Sequence, residues 1–444
     1  MIRSDVDATE RSICAAIRGV SGVWRDLPPA GEGRLLADAA RHRVKPLLAS
    51  RLHAAGELAN WPRAIAGALR DAARAEAAIE ITRALELRRL LAGFASAHVP
   101  VVVFKGAALA YSAYEEPWLR PREDTDVLVR VADADRARGV LSAAGYHPAP
   151  MQSGALVSHQ RVYLRRDGAG GHHACDLHWK IANPAAFADL VSTEDLLRDA
   201  ASISLDGVTA RIPSRVDALL LACWHRVSHH QDSDNLLWLY DLHLLAEGMN
   251  EADAARVIDT ARRTRTAAVC ARGLALAADR FGTAMPPTLL AHLAAERDAS
   301  PRTAAYLRRD ARKVDLLAAD LRALPDWRSR LRLVREHLFP PAEYMFAVTG
   351  RSARAALPML YARRIARGAL QWFRRPTRLR KATAGQADDR EPAFAKATAG
   401  QAEDREPRTD DRQPNREPNT RWRGRLGRLR RLLRLGKRTD GTAA

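Results

Sequence analysis

The chain has 444 residues, of which 47% are hydrophobic, and a formal net charge of +19 at pH 7. This length is too great for one compact core and predicts two or three domains, and the apolar content predicts that most of the chain folds. Four widely separated cysteines argue against a disulfide scaffold, and no uncharged apolar run approaches the length of a membrane span.

The two ends of the chain differ in charge. Residues 1–10 contain acidic side chains and lack the apolar core of a secretory signal. Reduced cysteines and the lack of a predicted span favour a cytoplasmic location. Residues 374–444 hold 20 basic and 10 acidic residues, so their net charge of 20 − 10 = +10 is more than half of the total of +19. A basic body is compatible with anionic substrates such as nucleotides, although charge alone identifies no partner.

Residues 1–97 are predicted to form an N-terminal helical region, because they are rich in Ala, Leu and Arg at helical spacing. Pro62 suits the first turn of a long helix, where a backbone N–H is not needed, and Asn60 could cap it. This helix should end near Pro100 and pack on the sheet that follows.

Residues 98–212 are predicted to form an α/β domain. An apolar, β-branched run ends at Lys105 and Gly106, where a small-residue helix begins, and the next apolar run opens with Asp124 and Asp126. Side chains alternate across a strand, so both aspartates point to one face. Two carboxylates about 6 to 7 Å apart repel each other, which favours either a solvated face or a cation. We favour a divalent metal.

A third carboxylate, Asp176, lies in a strand predicted at 173–181. The apolar alternation of this strand places Asp176, His178 and Lys180 on the side opposite to the buried stripe. A glycine-rich loop should join the strand to the preceding one as a hairpin. Three carboxylates on neighbouring strands, beside a glycine turn that opens a helix, are typical of two-metal phosphoryl transfer.

Four motifs follow one another along this part of the chain: Phe104-Lys-Gly106, Arg120-Pro121, Asp124-Thr-Asp126-Val-Leu-Val129 and Asp176-Leu-His-Trp179. In this order they resemble the uncharacterised bacterial nucleotidyltransferases of the polymerase-beta-like superfamily. The resemblance runs from about Leu35 to Met345 and excludes the tail. Two departures stand out: Thr125 replaces the usual apolar residue between the aspartates, and Lys105-Gly106 stands where better-studied relatives carry Gly-Ser.

The resemblance implies an α+β fold, in which a small mixed-sheet nucleotidyltransferase-like domain is flanked by N-terminal and C-terminal helical regions. It also implies that Asp124 and Asp126 bridge two Mg²⁺ (or Mn²⁺) ions. Asp176 would hold the catalytic ion and help to deprotonate the acceptor. The alternative reading is three exposed acids on strands.

Lys105, Gly106 and Arg120 are candidate nucleotide-binding residues. Glycine lets the backbone come close to a phosphate, the helix N-terminus supplies N–H groups, and lysine adds a cation. An ordinary strand-to-helix turn is the alternative. Arg120 could reach the triphosphate, or it could hold the loop before the aspartate strand.

Residues 213–373 are predicted to form a C-terminal helical region that provides the other wall of a substrate cleft. His225 and His229 share a helical face, and without a third ligand at useful spacing a structural or substrate-facing pair is favoured over a zinc site. Asp241 resembles an acid of the family at this point, and could pair with a histidine or line the cleft. His178 and Lys180 could also contact substrate.

Residues 374–444 are predicted to be a disordered basic tail. A polar unit occurs twice, at 381–387 and 396–402, and such a unit cannot bury a core. Residues 421–435 place leucines on one helical face among arginines, so weak contact with nucleic acid or an anionic membrane is one interpretation. A solvated basic tail is the other.

Together these features predict a nucleotidyltransferase that moves a nucleoside monophosphate from a nucleoside triphosphate to an acceptor by a two-metal mechanism. The acceptor, which could be a small molecule, a protein or RNA, cannot be read from the sequence. The competing hypothesis is a catalytically inactive nucleotidyltransferase fold that acts as a binding or antitoxin-like module. Thr125 and Lys105 are the departures that support this alternative.

Overall fold

The computed structural model describes residues 8–27, 31–151, 154–168, 171–296, 300–350 and 354–373. All of these residues belong to one compact unit. Helices form most of it, with a small mixed sheet among them, which confirms the predicted α+β fold. The predicted basic tail at 374–444 lies outside the described residues.

The helices before the sheet form the predicted N-terminal helical region. Helix α4 begins directly after Pro62, which takes the N-cap position. The second half of α4, including Leu87 and Phe94, packs in the same hydrophobic cluster as the sheet. The helices are α1 (Ala8–Ile17), α2 (Gly31–Arg41), α3 (Lys45–Ala54) and α4 (Arg63–Ser96).

Five strands of the described residues form one sheet in the order β1-β2-β5-β4-β3. Strands β2 and β5 are parallel and the other neighbours are antiparallel. A separate antiparallel hairpin consists of β6 and β7. The strands are β1 (Val102–Phe104), β2 (Asp124–Leu128), β3 (His147–Pro148), β4 (Gln160–Arg166), β5 (His172–His178), β6 (Ala201–Leu205) and β7 (Val208–Ile212).

Short helices connect these strands. Helix α5 (Lys105–Ser112) starts immediately after β1, where a small-residue helix was predicted, and α6 (Ala134–Ala143) follows β2. Helices α7 (Ala185–Ala188) and α8 (Thr193–Arg198) lie between β5 and β6. The predicted turn from β1 into a helix at Lys105 is therefore present.

The two faces of the sheet are covered by different parts of the chain. Val127 and Leu177 belong to the cluster that contains Leu87 of α4. Phe104 and Leu128 point to the other face and belong to the cluster that contains helices of the C-terminal region. Because Asp126 alternates with Val127, its carboxylate lies on this second face, between the sheet and those helices.

Strand β5 ends at His178, three residues before its predicted end. Its partner β4 begins at Gln160, which pairs with His178, so the ladder stops there. Trp179 instead donates its backbone N–H to the carbonyl of His159. Lys180 therefore lies beyond the strand.

The rest of the described chain is helical. Ser214, Asn235 and Asn250 cap three of these helices with their side chains. Within the described segments no helix has the length and hydropathy that a membrane span requires. The helices are α9 (Arg215–Ser228), α10 (Leu236–Ala246), α11 (Glu251–Arg263), α12 (Ala267–Phe281), α13 (Pro287–Ala295), α14 (Pro301–Ala304), α15 (Lys313–Ala323), α16 (Trp327–Leu338), α17 (Ala342–Thr349) and α18 (Leu357–Phe373).

Candidate active site

Two of the predicted carboxylates face each other across the parallel strands. Asp126 of β2 is in register with Asp176 of β5, and both side chains are buried. One ligand atom each from Asp126, Asp176 and His178 lie within 4.8 Å of one another. Among the described residues no other group of three histidine, cysteine or acidic side chains is this close.

A lysine and a histidine share one oxygen of Asp126. Lys105 Nζ lies 2.9 Å from Asp126 Oδ1, and His178 Nε2 lies 2.9 Å from the same oxygen. Lys105 Nζ and His178 Nε2 are 3.3 Å apart. The Phe104 and His178 rings meet in a T-shaped arrangement, with 4.9 Å between their centroids. The Lys105 side chain is therefore part of the carboxylate cluster.

The second carboxylate, Asp176, is held by the hairpin of β4 and β5. Gln160 of β4 donates from Nε2 to Asp176 Oδ2 at 3.0 Å.

The charged and hydrogen-bonding neighbours of Asp126 keep it ionised. Burial by itself would raise the pKa of Asp126, but the Lys105 ammonium and the His178 hydrogen bond outweigh it and hold that pKa well below its usual range. Asp126 is thus ionised at neutral pH.

Asp124 lies outside the close group, although it is on the same face of β2 as Asp126 and is half-buried. Its charge is one of those that act on Arg120: burial lowers the pKa of Arg120, but Asp241, Tyr114 and Asp124 together raise it above its usual value. Metal binding by Asp124 stays a prediction.

Arg120 holds the loop before β2 to helix α10, which is one of its two predicted roles. Arg120 Nε donates to Asp241 Oδ1 at 2.8 Å and Nη2 to Asp241 Oδ2 at 2.7 Å. The Tyr114 hydroxyl donates to the same carboxylate at 2.7 Å. Asp241, for which pairing with a histidine was one prediction, is engaged here by Arg120 and Tyr114.

Gly106 lies directly beneath this guanidinium group. A Cβ atom on Gly106 would be 2.5 Å from Arg120 Nη1, closer than any real contact. The glycine therefore permits the close approach of Arg120, and its predicted contact with a phosphate stays a prediction.

A family model for uncharacterised nucleotidyltransferases matches residues 28–282 of the chain. The chain belongs to this nucleotidyltransferase family. None of the curated proteins matches it. The matched segment contains both carboxylate strands and Asp241, and it ends at the end of α12, well before Met345.

The donor set of Asp126, Asp176 and His178 fits a divalent cation. Ligand atoms that are each about 2.0 to 2.4 Å from one ion lie within about 4 to 5 Å of one another, which matches the spacing of Asp126, Asp176 and His178. Carboxylate oxygens suit Mg²⁺ and Mn²⁺, and imidazole nitrogen is a better ligand for Mn²⁺ and softer ions. Members of the set could hold such an ion without a change in strand pairing.

Three histidines lie close together at the end of α9: His225 in its last turn, and His229 and His230 directly after it. His225 and His230 face each other at 3.0 Å between their Nε2 atoms, and the His225 and His229 rings are 4.9 Å apart. His230 stacks on Trp238 at 3.7 Å. Burial, with His230 and Lys105 nearby, lowers the pKa of His225 well below its usual value. His225 is therefore neutral, and substrate contact by this group stays a prediction.

Lys180 is separated from the carboxylate cluster. Because β5 has already ended, its ammonium reaches outward and pairs with Asp189 at 2.8 Å. The predicted contact of Lys180 with substrate rested on its sharing the face of Asp176, and the strand does not extend to it.

A second buried ion pair, between Arg122 and Glu80, lies beside the site, and neither residue is among the predicted site residues. Arg122 Nη1 and Nη2 donate to the two oxygens of Glu80 at 2.6 and 2.8 Å, and the Tyr111 hydroxyl donates to Glu80 as well. The sequence does contain a signal for this pair. Glu80 lies 11 residues after Leu69 and 7 before Leu87, spacings that place all three on one face of a helix, so an acidic residue interrupts an apolar stripe.

Proposed function

We propose that the chain is a Mg²⁺- or Mn²⁺-dependent nucleotidyltransferase of the polymerase-beta-like type. It would move a nucleoside monophosphate from a nucleoside triphosphate to an acceptor. The observation that carries the proposal is the pairing of Asp126 with Asp176 across β2 and β5, on the buried face of the sheet and next to the start of helix α5. The family match supports the class of reaction.

Asp126 and Asp176 would hold the cation, with His178 as a further ligand and Asp124 as the ligand of a second ion. When bound, such ions neutralise triphosphate charge and stabilise the negative charge that develops during transfer. The carboxylates would fix the positions of these ions. Gln160 orients Asp176 through its hydrogen bond.

The transfer itself would proceed in line at the α-phosphorus. An acceptor hydroxyl oxygen forms a bond to that phosphorus, the bond to the α,β-bridging oxygen breaks, and pyrophosphate leaves with the electron pair. The hydroxyl proton would pass to the carboxylate of Asp176. Lys105, Gly106 and the first N–H groups of α5 would face the triphosphate, since a helix N-terminus favours anions.

A transfer assay tests the proposal. The purified protein is incubated with triphosphates labelled at the α-phosphate, a divalent cation and a cell extract, and the labelled product is identified. We expect a labelled acceptor that requires the cation, and loss of label with Asp126→Asn, while Asp189→Asn serves as the control for removing a surface carboxylate. Unchanged labelling with Asp126→Asn would contradict the assignment.

One observation favours the alternative of an inactive binding or antitoxin-like module. The Lys105 ammonium contacts Asp126 directly, as a cation that replaces a metal would. The binding activity of such a module would be unchanged by Asp126→Asn and lost when residues 374–444 are deleted. The transfer activity of an enzyme would instead be lost with Asp126→Asn and kept after the deletion.

A further inference from the structure

The position of Lys105 has a consequence for metal binding at the proposed site. Its ammonium is 2.9 Å from Asp126 Oδ1 and 3.3 Å from His178 Nε2, and both residues belong to the close group of candidate ligands. A divalent ion bound to these two atoms on the side of the ammonium would be about 2 Å from each, and would overlap the space that the ammonium fills. Ammonium and metal ion cannot both occupy this point.

The surroundings of Lys105 show that this contact is well defined. The side chain is 9% exposed, and its ammonium lies 4.9 Å from the centroid of the Phe104 ring. Lys105 has a backbone φ of +52°, which is unusual for a residue with a side chain. A lysine in this conformation, at the first position of α5, directs its charge to the carboxylate instead of solvent.

The charges explain why a cation occupies this position. Asp126 and Asp176 face each other on a covered face of the sheet, where an uncompensated carboxylate pair would be costly. Lys105 provides one positive charge for two acids, so the cluster still attracts a cation of higher charge. A divalent ion would compensate both carboxylates.

We propose that Lys105 is a built-in competitor for the metal site: its ammonium fills the place of the cation on Asp126, and metal binding displaces it. The displaced ammonium is then free to bind an anion, for which the phosphates of the substrate are the chemical class at hand. The inference rests on the proposed function, because it requires a divalent cation at Asp126. The Lys105 ammonium would therefore contact Asp126 when metal is absent and bind phosphate when metal is present.

The first test measures Mn²⁺ affinity by electron paramagnetic resonance of the free ion, with no nucleotide present. Lys105→Met keeps the length of the side chain and removes the charge, and Lys313→Met, an exposed lysine at the start of α15, is the control. We expect Lys105→Met to bind Mn²⁺ at least about tenfold more tightly than the wild type, because no ammonium has to be displaced. Lys313→Met should match the wild type.

The second test uses the wild-type chain and does not depend on the folding of a variant. Lysines are acylated briefly with an amine-reactive ester, with and without Mg²⁺, and each site is quantified by mass spectrometry. We expect acylation of Lys105 to increase several-fold when Mg²⁺ is added, and acylation of Lys313 to stay constant. Constant acylation of Lys105 at saturating Mg²⁺ would overturn the inference.

The outcomes separate the two proposals. If wild type and Lys105→Met bind Mn²⁺ equally, or the variant binds more weakly, Lys105 does not compete and the metal site itself stands. If neither binds Mn²⁺, the proposed function fails and this inference fails with it. If only Lys105→Met binds, the competition is stronger than estimated and the inference is supported.

Discussion

At the scale of single residues, the candidate site depends on how closely Arg120 approaches the start of helix α5. The guanidinium is fixed by two hydrogen bonds to Asp241, and it lies where a Cβ atom of residue 106 would be. Because Arg120 is 7% exposed, it has little space into which it could move. Glycine at 106 is therefore required by packing, whether or not a phosphate binds there.

We predict that Gly106→Ala lowers the free energy of unfolding by about 1 to 3 kcal/mol, because the added methyl group must displace Arg120 from Asp241. The matched control is Gly139→Ala in helix α6, where a Cβ would meet nothing within 4 Å. The control should be neutral or stabilising, since alanine is the better helix former. Urea denaturation measures both, and equal stability of the two variants would show that Arg120 relaxes freely.

Alternation along a strand is a local rule, and it places Asp124 and Asp126 on one face of β2. The register of β2 with β5 sets Asp176 beside Asp126, whereas Asp124 pairs with Ala174 and lies outside the close group. The contact between Lys105 and Asp126 was not predictable, because it depends on a positive φ at Lys105 and on the pairing of β1 with β2. Neither is visible in the residue pattern.

At the scale of elements, the segment before β2 is held between two helices. Arg120 pairs with Asp241 of α10, and Arg122 pairs with Glu80 of α4, and both pairs are buried. Only Pro121 separates the two arginines, and each one ties the segment to a different helix. This arrangement positions the start of the carboxylate strand.

We predict that Glu80→Gln lowers the free energy of unfolding by about 3 kcal/mol, because a buried guanidinium loses its charged partner. Asp71→Asn on the same helix is the control, since its pair with Arg74 is 3.7 Å long and Asp71 is 77% exposed. The control should change stability by less than about 0.5 kcal/mol. If chemical denaturation finds the two variants within experimental error of each other, the buried pair does not hold the segment.

Between elements, the sequence indicated which helices and strands exist better than how they pair. The hairpin of β4 and β5 was predicted from its glycine-rich loop, which is a local signal. The end of β5 at His178 was predicted wrongly, because it is set by the start of β4 at Gln160 and not by the apolar alternation that continues to Ile181. Lys180 was included among the candidate site residues for that reason.

At the scale of the whole molecule, Asp320 of α15 joins the last helices to the region after the sheet. It accepts hydrogen bonds from the Ala186 backbone N–H at 3.0 Å and from the Tyr306 hydroxyl at 2.8 Å. Burial raises the pKa of Asp320 from 3.8 to about 6, against the lowering effect of those two donors. This contact connects residues inside the family match with residues beyond it.

The pH dependence of stability follows from that shift. The folded-state pKa of Asp320 lies above its ordinary value, so folding takes up a proton between about pH 4 and pH 6 and stability decreases as pH rises through this range. We predict that Asp320→Asn flattens this slope by an amount on the order of 1 to 2 kcal/mol across the range, a figure reduced for partial exposure. Urea denaturation of wild type and variant at pH 4, 5, 6 and 7 measures the difference, and parallel curves would contradict the prediction.

The boundaries between the predicted regions, after residues 97, 212 and 373, remain predictions. The larger hydrophobic cluster includes N-terminal residues such as Ile13, sheet residues such as Phe104 and C-terminal residues such as Leu274. A change in composition along the chain marked the helical and mixed regions. It could not show that they share one core, because packing between distant segments leaves no local pattern.

Anomalous diffraction from crystals soaked in MnCl₂ would show whether Asp126 and Asp176 form a divalent-cation site. We expect an anomalous difference peak bounded by Asp126, Asp176 and His178, with the Lys105 ammonium moved away from Asp126. A map at saturating Mn²⁺ that has no peak at this position, and in which Lys105 still contacts Asp126, would contradict this expectation.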